Sequence, residues 1–171
     1  QQWIGIAPFA AHQGKIYPIE KMEQVVDIIS RRHPSCRIFF FGGGRSEMDI
    51  INSLVEKYPN SINASANLGG LRNELTLMSH LDVMVSMDSS NMHMASLVGC
   101  PVVSVWGATH PFAGFMGWGQ KEADTVQVDL PCRPCSIYGN KPCLRGDYAC
   151  LNSIEPETVA NHVESVLTRI I

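Results

Sequence analysis

The chain has no apolar run longer than a strand requires, so no segment is expected to cross a membrane. A charged leader followed by an apolar stretch is also missing. The sequence opens on Gln1-Gln2-Trp3-Ile4-Gly5-Ile6-Ala7, which already has the pattern of a core strand. An initiator methionine is lacking too, which fits a piece of a longer protein cut at a domain boundary. Charge is scarce, with 17% of residues charged, a net charge of -3 and a pI of about 6.1. With no basic stripe and no interleaving of aromatic and basic residues, no nucleic-acid partner is expected. There is no internal repeat and no low-complexity segment. The G-x-S-x-G elbow is absent and no second histidine is placed to act as a base, which argues against a serine hydrolase. What remains is 171 residues, 45% of them hydrophobic, enough for one domain with its own core.

Strand and helix patterns alternate along the whole length, which predicts a parallel sheet with helices on both faces. Strands are expected at Trp3 to Ala7, Cys36 to Phe41, Ser61 to Asn63, Asp82 to Met87, Pro101 to Val105 and Thr125 to Val128. Pro18 opens the first helix, with Met22, Val25, Val26 and Ile29 as its buried stripe. A second helix spans about Ser46 to Tyr58 with Met48, Ile51, Val55 and Tyr58 inward, and Leu71, Leu75 and Met78 mark a third. The last starts at Pro156 and buries Val159, Val163, Val166, Leu167 and Ile170. Residues 106 to 120 are expected to form a loop over the sheet edge, and 130 to 154 a second irregular stretch; loops this long in a small domain are usually functional or stapled.

The densest chemistry lies in Val85-Ser86-Met87-Asp88-Ser89-Ser90-Asn91-Met92-His93, where a buried strand hands over to a short helix closed by Gly99. Ligands of open α/β sheets bind at such strand ends. Asp88 is placed to accept hydrogen bonds from sugar hydroxyls. Ser89 and Ser90 cap a helix whose first amides form a site for phosphate, and His93 lies within reach of the same anion. The bland alternative is an ordinary helix cap with a structural histidine; the convergence of four polar residues on one turn favours function. Before the first helix, Ala7-Pro8-Phe9-Ala10-Ala11-His12-Gln13-Gly14-Lys15 offers small residues and a lysine able to act as a point charge for phosphate. Alone it would be a plain connection. Gly42-Gly43-Gly44 lacks the spacing of a dinucleotide or Walker loop, and forms either a wall for a base or ribose or a ligand-free turn. Gly69-Gly70 lies beside a base or simply starts a helix.

Six cysteines divide into two groups. Cys36 and Cys100 fall beside strands as small core residues. Cys132, Cys135, Cys143 and Cys150 share one loop at 130–152 and match a tetrahedral zinc or cluster site in ligand type, although the second pair is not a CxxC. A structural staple, by metal or by disulfides, is the expectation; reduced thiols that only pack are the alternative, and a catalytic thiol has no activating partner.

In this order, Val85-Ser86-Met87-Asp88-Ser89-Ser90-x-x-His93-x-Ala95, then Gly99-Cys100-Pro101-Val102-Val103-Ser104-Val105-Trp106-Gly107-Ala108-Thr109-His110-Pro111, the Pro8 to Pro18 segment with Lys15, and the cysteine loop resemble glycosyltransferase family 9, the heptosyltransferases of lipopolysaccharide core synthesis. The resemblance implies a Rossmann-like three-layer αβα parallel sheet, the C-terminal half of a GT-B enzyme, with residues 1–171 forming a single donor-binding domain. The N-terminal acceptor domain, with its acidic base, would be absent from this chain. It implies an inverting transfer of heptose from ADP-heptose to a lipopolysaccharide core acceptor, inactive in the fragment alone. Asp88 would hold heptose hydroxyls, Ser89, Ser90, His93 and Lys15 the diphosphate, and Gly44 and Gly69 the ribose and adenine. No cofactor would be needed for transfer, beyond a structural zinc at the cysteine loop. The protein would be cytoplasmic, at the inner face of the bacterial inner membrane, associated peripherally through its acceptor. Two residues depart from the family pattern: Ser90 replaces its usual glycine, and Ala10 and Ala11 stand where hydroxyl side chains are common. Both bear on which donor binds. Another GT-B nucleotide-sugar transferase or epimerase, or a non-catalytic nucleotide-binding module with a cysteine–metal knot, is the alternative.

Overall fold

The computed structural model describes residues 1–170, with the side chain of Ile170 outside the described set. In chain order the elements are β1 (Trp3–Ala7), α1 (Ile19–Arg32), β2 (Arg37–Phe40), α2 (Arg45–Lys57), β3 (Ser61–Asn63), α3 (Ala64–Leu68), α4 (Leu71–Met78), β4 (Val83–Met87), α5 (Ser90–Leu97), β5 (Val102–Val105), β6 (Thr125–Val126), α6 (Ala149–Asn152) and α7 (Pro156–Ile170). The six strands form one sheet in the order β3-β2-β1-β4-β5-β6. Every neighbouring pair is parallel.

The central strands are buried on both faces, which is why they read as continuous hydrophobic runs. Alternate side chains feed two cores. Ile4, Ile6, Ile38, Phe40, Val83, Val85, Val103 and Val105 meet α1, α2 and α7 on one face. Phe39, Met84 and Val102 meet α3, α4 and α5 on the other. The result is the expected three-layer αβα sandwich. The stripe Met22, Val25, Val26 and Ile29 is buried on α1, and Val159, Val163, Val166 and Leu167 on α7. Cys36 and Cys100 are core thiols, and burial together with the negative Asp82 pushes the Cys100 pKa up to about 12.

Several expectations are corrected at their edges. Pro18 is the cap before α1 rather than its first residue, and Arg37 rather than Cys36 begins β2. On α2 the fully buried residues are Ile51 and Leu54, with Met48, Val55 and Tyr58 only half-buried. The five-residue α3 went unpredicted; Asn63 Oδ1 caps it by accepting from Ala66 N at 3.0 Å. Of the three residues that marked α4, Met78 is buried and Leu71 exposed. The edge strand β6 stops at Val126 because the Arg133 guanidinium, not a strand partner, takes the Val128 carbonyl and the Gln127 side chain.

The zinc expectation for the cysteine loop finds no support in the structure. All six cysteines are free thiols, and among the described residues no three His, Cys, Asp or Glu side chains converge as metal ligands. The four loop sulfurs differ in exposure but feel one another's charge: Cys135 that of Cys132 and Cys143, and Cys150 that of all three. Cys132 is exposed, Cys135 Sγ donates to the Cys132 carbonyl at 3.0 Å, and Cys150 turns into the core beside Leu151. Backbone amides of Tyr148, Arg145, Gly146 and Asp147 surround the Cys143 sulfur and hold its pKa below the ordinary thiol value. Arg133 fastens the loop, donating to the carbonyls of Gly107, Val128 and Thr109.

Two predictions follow from this packing. Gly107 sits where three segments meet: a Cβ there would stand 2.6 Å from both the Gly14 carbonyl oxygen and Leu151 Cγ. Gly107→Ala is expected to lower stability by about 2–3 kcal/mol, whereas Gly43→Ala, in open space, changes it by less than about 0.5 kcal/mol. Urea unfolding of both variants checks this; equal midpoints contradict it. For the thiols, a lowered pKa means a larger thiolate fraction at pH 7. Iodoacetamide should therefore modify Cys143 before Cys135 and Cys150, whose pKa values burial raises. Mass spectrometry on timed samples finding Cys135 or Cys150 labelled first would refute this.

Candidate functional site

The chain leaves β1 toward β2 and β3, then returns to the other side of β1 to continue through β4 and β5. The sheet therefore changes direction between β1 and β4, and the crevice beyond their carboxyl ends is where open α/β sheets bind ligands. Ala7 pairs with Ser86 at this boundary, so the loop after β1 and the turn after β4 emerge side by side. Between them lies a cleft of about 550 Å³. A second hollow of about 350 Å³, beside Trp118 and the Asp124–Arg169 ion pair, opens near the amino ends of β5 and β6, away from this crevice.

Lys15 reaches the cleft from the β1 side and Asp88 from the β4 side. Lys15 Nζ stands 3.0 Å from Asp88 Oδ2, with the lysine side chain 16% exposed and the aspartate 5%. The hydroxyl of buried Thr109 donates to the same oxygen at 2.9 Å. Asp88 thus fixes the lysine ammonium at the mouth of the crevice, in addition to any role toward a ligand hydroxyl. An ammonium has three donors, and this pairing leaves others for the cleft. Sequence reasoning assigned no role to Thr109; its only signal was the Gly107-Ala108-Thr109-His110-Pro111 stretch, and nothing local in that stretch announces a contact to Asp88.

The start of α5 forms the floor. Ser89 occupies the cap position, but its side chain makes no capping bond. Its hydroxyl lies 3.2 Å from that of Ser86 instead. No acidic residue sits in the first turn. The leading amides of α5 therefore keep their partial positive charge for a bound anion. Ser90, Asn91 and His93 line the same cleft. Of the two serines expected to cap the helix, Ser89 holds the cap position and Ser90 is the first helical residue, and the Ser89 hydroxyl leaves the amides uncapped.

The remaining predicted residues divide. Ala10, Ala11 and Gly44 line the cleft, with no side-chain donor among them. Gly69 does not: it closes α3 in a left-handed conformation, exposed and away from the lining. The cleft gains two apolar walls that went unpredicted, Phe9 and Phe115, and an acidic one, Glu47, whose Oε2 accepts from Gly43 N at 2.6 Å. Phe115 comes from the 106–120 loop, which accordingly reaches the crevice. Small backbone-lined surface, one held cation, uncapped amides and aromatic walls form a pocket of the size and chemistry that takes a phosphorylated aromatic ligand. The four loop cysteines are not among its lining residues.

Comparison with known proteins bears on the family and the fold. The chain is 26% identical over 137 residues to lipooligosaccharide heptosyltransferase 2 of Campylobacter jejuni, covering 78% of this chain and 42% of that protein. It thus spans about two-fifths of the length of its curated relatives. Its fold matches the E. coli ADP-heptose lipopolysaccharide heptosyltransferase II with a TM-score of 0.75 at 17% identity, over 99% of this chain and 47% of the other. The E. coli heptosyltransferase WaaC solved with ADP matches with a TM-score of 0.68 at 16% identity, over 96% and 44%. The family model for glycosyltransferase family 9 (heptosyltransferase) matches residues 1–143, most of the chain, and the chain belongs to this family.

Proposed function

We propose that this chain is the donor-binding half of an inverting GT-B heptosyltransferase, taking ADP-heptose and passing heptose to a lipopolysaccharide core acceptor. The observation that carries the reading is the Lys15 ammonium, held by Asp88 at the switch crevice beside the uncapped start of α5. That pairing suits a diphosphate. The family supports transfer of a sugar, and the relative solved with ADP supports an adenine nucleotide. The acceptor and the base that activates its hydroxyl would come from a part of the enzyme that this chain does not span. No helix among the described residues is long and apolar enough to cross a membrane. The reading places the enzyme at the cytoplasmic face of the membrane that carries its acceptor.

The chemistry assigned to these residues is leaving-group stabilisation. The acceptor oxygen forms a bond to the anomeric carbon as the bond to the diphosphate oxygen breaks, inverting that carbon. The electron pair goes to the departing diphosphate. Lys15, the α5 amides and His93 face that developing charge, already oriented before reaction, which is where fixed donors help most. Asp88 accepts from a heptose hydroxyl with its free oxygen. Gly43 and Gly44 border the ribose, and Phe9 or Phe115 the base.

Titration calorimetry of the full-length protein tests this. ADP should bind saturably and more tightly than UDP. Lys15→Ala should weaken ADP about 10- to 100-fold, the worth of a charge-assisted hydrogen bond, and His93→Ala by less. Asp88→Asn, which keeps the shape but releases the lysine, should weaken it to an intermediate degree. Binding of ADP indifferent to Lys15→Ala would contradict the assignment of the diphosphate to this crevice.

A further inference from the structure

We propose that the cysteine loop sets the position of Lys15, with Gly139 as the positioning residue; the proposal rests on the diphosphate reading of that lysine. A lysine stem is long and flexible, so a charge at its tip is well placed only where the stem is confined. Asp88 and Thr109 hold the tip. The stem lies against Gly139, which is buried with φ +71°. A Cβ at Gly139 would meet Lys15 Cγ at 2.8 Å, Lys15 Cε at 3.0 Å and Thr109 Cγ2 at 3.3 Å. No side chain fits there without moving the lysine or the threonine that shares its aspartate.

The loop is itself fixed to the crevice. Cys135 N donates to the Ala108 carbonyl at 3.0 Å, and Ala108 N to the Gly14 carbonyl at 2.8 Å, joining the loop to the residue before Lys15. Arg133 donates to the Thr109 carbonyl at 2.9 Å. Ser136 Oγ donates to Asn140 Oδ1 at 2.9 Å, closing the turn that presents Gly139. A segment lacking a ligand contact of its own thus reaches both Lys15 and Thr109.

Gly146 provides a matched control. It lies in the same loop with φ +77° but has nothing within 4 Å of its Cβ position, so an alanine there brings the backbone strain without the contact. The experiment is calorimetric titration of the full-length protein with ADP for Gly139→Ala, Gly146→Ala, Lys15→Ala and the Gly139→Ala/Lys15→Ala double variant. Gly139→Ala is expected to weaken ADP about tenfold, Gly146→Ala by less than about twofold. In the Lys15→Ala background, Gly139→Ala should add less than about twofold, because its effect passes through the lysine. If Gly139→Ala does not fold, Ser136→Ala opens the same turn without adding an atom, and should weaken ADP about threefold with the same dependence on Lys15. Equal effects of Gly139→Ala and Gly146→Ala, or a Gly139→Ala penalty that adds fully to that of Lys15→Ala, would overturn the positioning role alone. Lys15→Ala binding ADP like the wild type would overturn the diphosphate reading and the positioning role together.

Discussion

A carboxylate and an ammonium meet where the sheet changes direction, and much of the upper surface of the domain is arranged around that contact. Asp88 is almost wholly buried, and a buried carboxylate is costly unless it is paired and hydrogen-bonded. Here it is both: Lys15 supplies the charge and Thr109 the second donor. The pair joins the loops after β1 and β4, strands that are adjacent in the sheet yet distant in sequence. Removing either partner leaves the other ion poorly compensated in a half-buried crevice, so the pair constrains the loop conformations as much as it serves a ligand.

On the proposed reading, the lysine serves an anionic group although its charge is already balanced by Asp88. Asp88 binds it from the protein side, leaving the cleft side of the ammonium available. The first amides of α5 add partial positive charge, kept free because the Ser89 hydroxyl turns to Ser86 rather than capping the helix. Glu47, the other acidic residue of the lining besides Asp88, accepts a hydrogen bond from Gly43 N. Donors that are fixed before the ligand arrives need no reorganisation when charge develops, which is what the proposed stabilisation of a departing diphosphate requires.

Much of this was legible in the sequence because it is local. Strand runs, helical stripes and the Asp88-Ser89-Ser90-x-x-His93 turn are patterns within a few residues, and β1, β4, β5, α1 and α7 stand close to where periodicity puts them. What was not legible depends on distant partners. Thr109 matters because it touches Asp88, and Gly139 because it touches the Lys15 stem; neither contact leaves a mark in its neighbourhood. Gly69 shows the converse. Its glycine pair resembled a ligand-facing turn, but a left-handed residue closing a short helix needs glycine equally well. The four cysteines were legible as a group sharing one loop, but the fastening by Arg133 was not, because its carbonyl partners Gly107 and Thr109 lie more than twenty residues away.

The central claim is that the crevice between β1 and β4 holds a diphosphate between Lys15 and the start of α5. A crystal structure of the full-length protein with ADP bound tests it most directly. The account predicts diphosphate oxygens within hydrogen-bonding distance of Lys15 Nζ and of the Ser90 or Asn91 amides, with the Lys15–Asp88 pair intact. ADP seated elsewhere, for instance in the hollow beside Trp118, or a diphosphate that makes no contact with Lys15, would contradict it.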